Sequence, residues 1–246
     1  LTGKYCLGQN QLQLSYEGTS NVTISKVVLK EIYLRPNSWI FITAGLGNSN
    51  FTNASLRLLN SVQKFRIFDE LVHLNNTNIT SLCPTVTMKY SEYLTSNVRG
   101  FGYWCWKAEI VFRVLESNPD AGIIWADCGC EVLVNPLSKL LLKHNLNRLS
   151  KKGYIAYTLD TEENRYTKNQ LFDFFPTLSS YDVTPQFQAT FFGLSGELGR
   201  KIARRWFEVV TNGISSIDNI SRCQEHIEFV GHRNDQSVLS LVMKEL

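Results

Sequence analysis

Gly122 to Glu131, GIIWADCGCE, is an apolar run that stops at a carboxylate and continues in small residues. Ile123, Ile124 and Trp125 read as a buried strand, and a strand that ends there delivers Asp127 to the rim of a sheet. Ligands of open α/β sheets bind outside the carboxyl ends of the strands. An acid at that edge can hold a divalent metal or accept bonds from sugar hydroxyls. The alternative is that Asp127 only caps the element that follows.

The flanks are built as α/β units. Upstream, GFGYWCWK at Gly100 to Lys107 leads into a helical pattern with Ile110, Val111, Val114 and Leu115 on one face, closed by Ser117, Asn118 and Pro119. Downstream, Asn135 followed by Pro136 is a helix start, with a capping side chain and proline at the first helical position. That helix carries Leu137, Leu140 and Leu141, and Lys152-Gly153 ends it before a second apolar run, Tyr154 to Tyr157. The two strands and the helix between them fit one right-handed crossover. Nearer the start, Trp39 to Ile42 predicts a strand, Gly45 to Asn53 a loop, Leu56, Leu59 and Val62 a helix face, and Phe65 to Phe68 the next strand. The loop sequence GLGNSN has the spacing of neither a dinucleotide fingerprint nor a phosphate loop.

In the last third, Gln186 to Leu194 predicts a strand, and Ser195 is placed to cap a helix bearing Leu198, Ile202, Trp206 and Val209 or Val210. His232, Arg233, Asn234, Asp235, Gln236 and Ser237 then open a helix whose apolar side is Val238, Leu239 and Val242. Metal-binding and hydrogen-bonding side chains gathered at a helix N-terminus make an anion or sugar site, with simple capping by Asn234 or Asp235 as the alternative.

These patterns predict an α/β protein with a mostly parallel central sheet flanked by helices. One domain over residues 36–246 follows an extension, 1–35, of short strands expected to pack on it. With 246 residues, 43% hydrophobic and 12% aromatic, the chain can bury a sizeable core. The net charge of +3 and the lack of any Lys/Arg run beyond a pair argue against nucleic acid as a partner. Nothing reaches the roughly 18 apolar residues of a membrane span. Residue 1 is Leu rather than Met, which leaves an upstream segment open. Cys6, Cys83, Cys105, Cys128, Cys130 and Cys223 show no zinc spacing, and Cys128 and Cys130 read as small, unbridged fillers. Six Asn-x-Ser/Thr sequons, in a chain rich in these residues, do not establish a secreted protein.

Six landmarks in order, GFGYWCWK, WADCGCE, RYTKNQLF at 165–172, QFQATFFGL, the Trp206 helix and HRNDQSVLSL, resemble those of GT-A type glycosyltransferases. The resemblance spans roughly residues 38–244. It implies a single nucleotide-binding domain of Rossmann-like kind and transfer from a nucleotide sugar, a uridine diphosphate sugar foremost, to a glycan or glycoconjugate hydroxyl, as in polysaccharide biosynthesis. It also implies a Mn²⁺ or Mg²⁺ ion held by Asp127 with Glu131 and His232, although Gly129 stands where the usual Asp-x-Asp has its second acid. Without the metal, Lys107, Lys168 or Arg233 would neutralise the diphosphate. Asp235 and Gln236 join Asp127 as catalytic candidates, and Gln186 joins the substrate-binding candidates. Asp235, Glu131 and Asp182 are the candidate general bases. Trp104 or Tyr103 is expected to line the cleft, with Trp106 buried. A non-catalytic carbohydrate-binding protein on the same fold and a sugar-nucleotide nucleotidyltransferase are the alternatives. The expected location is the cytoplasm with peripheral contact at the membrane face, or the secretory-pathway lumen if an N-terminal anchor has been removed.

Overall fold

The computed structural model describes residues 3–7, 10–14, 36–180 and 182–246. The chain divides into two units, 1–32 and 33–246. In the first, β1 (Gly3–Leu7) and β2 (Asn10–Leu14) pair as an antiparallel hairpin. The remaining positions expected to form strands before residue 36 lie outside the described residues.

The second unit is an α/β domain on a five-stranded mixed sheet. Its strands are β3 (Ser38–Gly45), β4 (Glu70–Asn75), β5 (Ala121–Ala126), β6 (Tyr154–Glu162) and β7 (Pro185–Ser195), in spatial order β4-β3-β5-β7-β6. β3 is parallel to β4 and β5, and β7 is antiparallel to both β5 and β6, so β7 alone runs against the rest. The helices are α1 (Ser49–Gln63), α2 (Ile79–Leu82), α3 (Pro84–Lys89), α4 (Gly100–Tyr103), α5 (Cys105–Ser117), α6 (Pro136–Lys152), α7 (Glu163–Tyr166), α8 (Gly196–Asn212) and α9 (Asp235–Glu245).

Side-chain alternation along the strands sorts the core into two layers. Phe41, Ile124 and Ala126 face one side, where Leu58, Leu59 and Val62 of α1 and Leu146 and Leu149 of α6 cover them. Ile40, Ile42, Ile123 and Trp125 face the other, against Trp106 and Ile110 of α5, Trp206 of α8 and Val238 of α9. A strand buried on both faces reads as continuous apolar sequence, which is why all six residues of β5 are buried.

The helix ends follow local chemistry. The Asn118 side chain donates to the Val114 carbonyl at 3.0 Å and Pro119 follows, closing α5. Asn135 Oδ1 accepts from the Ser138 N–H at 2.8 Å with Pro136 in the first turn, opening α6, and Gly153 ends it at φ +81°.

The structure departs from four sequence expectations. The strand placed at 65–68 lies at 70–75, because Phe65 is needed as a core residue under a turn in which Arg66 takes φ +49°. The loop after β3 is shorter than expected, since Asn48 caps α1 by accepting from Asn50 and Phe51. β5 and β6 run in the same sense but are not neighbours, β7 lying between them. Ser195 precedes α8 without capping it, its hydroxyl donating instead to the Leu149 carbonyl at 2.9 Å.

Candidate active site

Gly45, Asn75 and Ala126, the last residues of β3, β4 and β5, put three strand ends along one edge of the sheet. Asp127 follows immediately, its N–H tied to the Thr190 carbonyl of β7 at 2.9 Å. Cys130 N–H then returns to the Asp127 carbonyl, also at 2.9 Å, turning the chain away from the sheet. Residues two apart in a strand share a face. Trp125 can therefore reach along the edge, and its indole N–H donates to Asp127 Oδ1 at 2.8 Å.

The same oxygen meets Lys107 Nζ at 3.0 Å. Lys107 sits in the first turn of α5, its ammonium also 2.7 Å from Asp235 Oδ2 and donating to the Ala189 carbonyl at 3.3 Å. Asp235 is the first residue of α9, so four elements distant in sequence converge on one cation. The Lys107 and Asp235 side chains are almost wholly buried, whereas that of Asp127 is 32% exposed. Burial opposes the Lys107 charge, but the two carboxylates more than offset it and push the ammonium up to about 12. Burial raises Asp235 to about 6 against the pull of Lys107. The Asp235 Oδ2 contact with the ammonium is close but not aligned as a hydrogen bond. The distance identifies it as an ion pair, and its energy is Coulombic rather than directional.

The other expected site residues are placed in different ways. Gln236 and Gln186 lie beside the trio but spend their amides on the fold. Gln236 Nε2 donates to Gln186 Oε1 at 2.7 Å, and its Oε1 accepts from the Ala189 N–H at 3.4 Å. Gln186 Nε2 contacts Glu163 at 3.0 Å, Thr167 at 3.2 Å and Ser237 at 3.3 Å. Lys168 and His232 belong to a separate buried cluster. Lys168 Nζ donates to both the Asp218 carboxylate and carbonyl at 2.7 Å, so it is spent inside the protein. His232 Nε2 donates to the Ser216 carbonyl at 3.0 Å, leaving Nδ1 buried without a partner, and burial pushes the ring down to about 3. Glu131 points away to Arg57 of α1 at 2.6 Å, where both side chains are exposed. Asp182, a candidate base, is held by Lys244 at 3.0 Å.

Arg233 is a different case. Its guanidinium lies 4.0 Å from the Tyr166 ring centroid with one long contact to Thr161, and it has no carboxylate partner among the described residues. Tyr103 and Trp104 are half-buried, at φ +56° and +60°, beside Phe101 at +52°. A run of non-glycine residues in the left-handed region is strained. It is held by the Trp106 indole, which donates to the carbonyls of Gly100 and Phe101 at 3.1 Å, with Trp106 itself in the core. Cys128 and Cys130 are free and half-buried.

Trp125, Arg57 and Glu163 hold this region together and were not anticipated. For Trp125 a signal existed, the two-residue spacing to Asp127. For Arg57, which also reaches the Cys128 and Cys130 carbonyls at 3.4 Å, and for Glu163, nothing local in the sequence points to the partner.

The expected metal set does not assemble. Among the described residues no three His, Cys, Asp or Glu side chains stand together to hold an ion. Glu131 is turned to Arg57 and His232 is sealed behind Ser216. The gap between Asp127 and Asp235 is filled by an ammonium, and a dication on the same Asp127 oxygen would face that charge at close range. These residues do not fit a resident Mn²⁺ or Mg²⁺.

No protein-family model and no curated protein sequence matches the chain. A solved structure to which it is similar is the apo form of mouse xyloside xylosyltransferase 1. That similarity has a TM-score of 0.41 and 11% identity, over 84% of this chain and 82% of that one.

Proposed function

We propose that the protein is a glycosyltransferase that moves a sugar from a nucleoside diphosphate sugar to a hydroxyl of a glycan or glycoconjugate. The observation that carries this reading is the half-open carboxylate of Asp127 at the strand edge, clamped from behind by a buried ammonium shared with Asp235. The ordered landmarks that resemble GT-A type enzymes support it.

In this reading Asp127 is the group that touches the reacting atoms. Its Oδ1 is fixed by Lys107 and Trp125, while Oδ2 has no protein partner among the described residues and is not sealed from water. The acceptor oxygen bonds to the anomeric carbon as the carbon–oxygen bond to the diphosphate breaks. The bonding pair leaves on the phosphate oxygen, and the acceptor proton passes to Asp127 Oδ2. Two carboxylates around one ammonium leave residual negative charge at the edge, which favours the positive charge that builds on the sugar ring. Arg233 supplies charge for the diphosphate, its planar fork suiting two phosphate oxygens. Lys107 and Asp235 act as positioning residues, because burial keeps both from a ligand.

The test is incubation with a panel of nucleotide sugars, with and without glycan acceptors, while nucleoside diphosphate release is followed. One donor is expected to be turned over, and Asp127→Asn to lower the release by about a hundredfold or more. Glycan binding without turnover of any donor would replace this reading with a carbohydrate-binding protein, and turnover unaffected by Asp127→Asn would move the chemistry elsewhere.

A further inference from the structure

We propose that the outward face of α6 is a docking surface for an anionic lipid bilayer. A helix on the flank of an α/β domain should turn its apolar side inward, and α6 does so with Leu146 and Leu149. It nevertheless carries three more leucines on the opposite side. Leu137, Leu140 and Leu141 are 54% to 64% exposed, and Leu133 and Val134 just before the helix are 73% and 45% exposed. Scattered exposed leucines are ordinary, but five apolar residues within nine positions form a contiguous patch.

Charge selects the occupant. From Val132 to Lys152 the chain has five Lys or Arg and no Asp or Glu, while the whole protein nets only +3. This segment is therefore more basic than the molecule that carries it. Residues three and four apart share a helix face, so His144, Arg148 and Lys151 continue the stripe begun by Leu137, Leu140 and Leu141. None of the five basic side chains has an ion-pair partner among the described residues. An apolar half followed by a basic half, with no acid, is the pattern of a helix that lies in a membrane interface, its leucines among the acyl chains and its cations at anionic headgroups. No helix among the described residues is long and apolar enough to cross a membrane, so contact through α6 is peripheral.

The experiment is co-sedimentation of the full chain with phosphatidylcholine vesicles, with and without phosphatidylserine. Binding is expected only with phosphatidylserine and should weaken with salt. Leu140→Glu with Leu141→Glu should reduce it more than about tenfold, and Lys151→Ala or Arg148→Ala by about fivefold each, the equivalent of about 1 kcal/mol per basic residue. All these positions are outside the core, so unchanged circular dichroism and thermal midpoint serve as folding controls. No binding to the anionic vesicles, or binding that the leucine and basic variants leave intact, would overturn the proposal. So would a dimer in sedimentation equilibrium that Leu140→Glu disperses, since α6 would then be covered by a second copy.

Discussion

Two buried lysines in this molecule look alike in sequence and behave differently in the fold. Lys107 and Lys168 are both almost fully buried, and each pairs with an aspartate at 2.7 Å. Lys107 has two carboxylates, and its charge is held more firmly than in water. Lys168 has one, shared with Arg222, and burial with the neighbouring guanidinium pulls its ammonium below the usual lysine range. The decisive difference lies at the outer end of each cluster. Around Lys107 the second acid opens to solvent at the end of a strand, whereas in the Lys168 cluster the carboxylate of Asp218 is buried and the member that reaches solvent is the Arg222 guanidinium paired with it. A buried ion pair contributes little net stability by itself. What sets the Lys107 cluster apart, in the function proposed above, is an accessible carboxylate.

The largest effect expected from this contrast is on turnover. Asp127→Asn removes the proposed proton acceptor and should lower nucleoside diphosphate release by about 10²- to 10⁴-fold, with the unfolding midpoint little changed. Asp218→Asn, in the closed cluster, should do the reverse, lowering stability while sparing the rate per folded molecule. Kinetics on protein matched for folded fraction would break the comparison if both variants lost turnover equally.

Stability comes next. Lys107→Met leaves two acids facing each other with no counter-charge, and removing one partner of a buried pair costs about 3–5 kcal/mol. Lys168→Met strands one acid that keeps Arg222 at its side, and the cost should be smaller. Urea denaturation of both variants gives the difference directly. A larger loss at Lys168 would mean that the closed cluster, not the open one, anchors the domain.

The clusters should also respond to pH with opposite signs. Asp235 is raised from 3.8 to about 6 in the fold, so its protonated form is favoured there. Its contribution is full below the unfolded value and is lost as pH rises from about 4 to 6, by up to about 3 kcal/mol. His232 is lowered from 6.5 to about 3, so its contribution is present above the unfolded value and is lost as pH falls from about 6.5 toward 3. Asp235→Asn should therefore steepen the rise of stability between pH 4 and 6, and His232→Gln should flatten it. Denaturation midpoints across that range would sharpen the assignment, and slopes unchanged in both variants would refute it.

Much of this architecture is legible in the chain, and the reasons are local. The all-apolar β5, the Asn135-Pro136 start of α6 and its Gly153 stop are decided within a few residues, so pattern and capping rules find them. The insertion of β7 between β5 and β6 is not local, because pairing of Phe191 with Ala126 depends on chain 65 residues away. The site divides in the same way. Asp127 is marked by the abrupt end of a strand. Whether Lys107 or Lys168, Gln236 or Glu131, faces a ligand depends on partners that the sequence does not place next to them. Gln236 carries the right chemistry, but Gln186 and the Ala189 peptide consume it.

The smallest effect concerns Glu131, the acid closest in sequence to Asp127 and the natural second half of a metal motif. In the fold it lies across the turn at Gly129 and gives its charge to Arg57 on α1, in an exposed pair of the kind that is worth about 1 kcal/mol or less. Its work is to hold the loop that leaves the site, a task Arg57 shares by reaching the Cys128 and Cys130 carbonyls. Glu131→Gln keeps the shape and a hydrogen-bond acceptor for Arg57 while removing the charge. Turnover should then fall by less than about fivefold, the rate equivalent of that energy. Its dependence on added Mg²⁺ or Mn²⁺ should match that of the parent. If the charge instead served a ligand, the variant would lose rate on the scale of Asp127→Asn and shift its metal response. That result would place Glu131 in the open cluster and restore the acidic motif that its contact with Arg57 argues against.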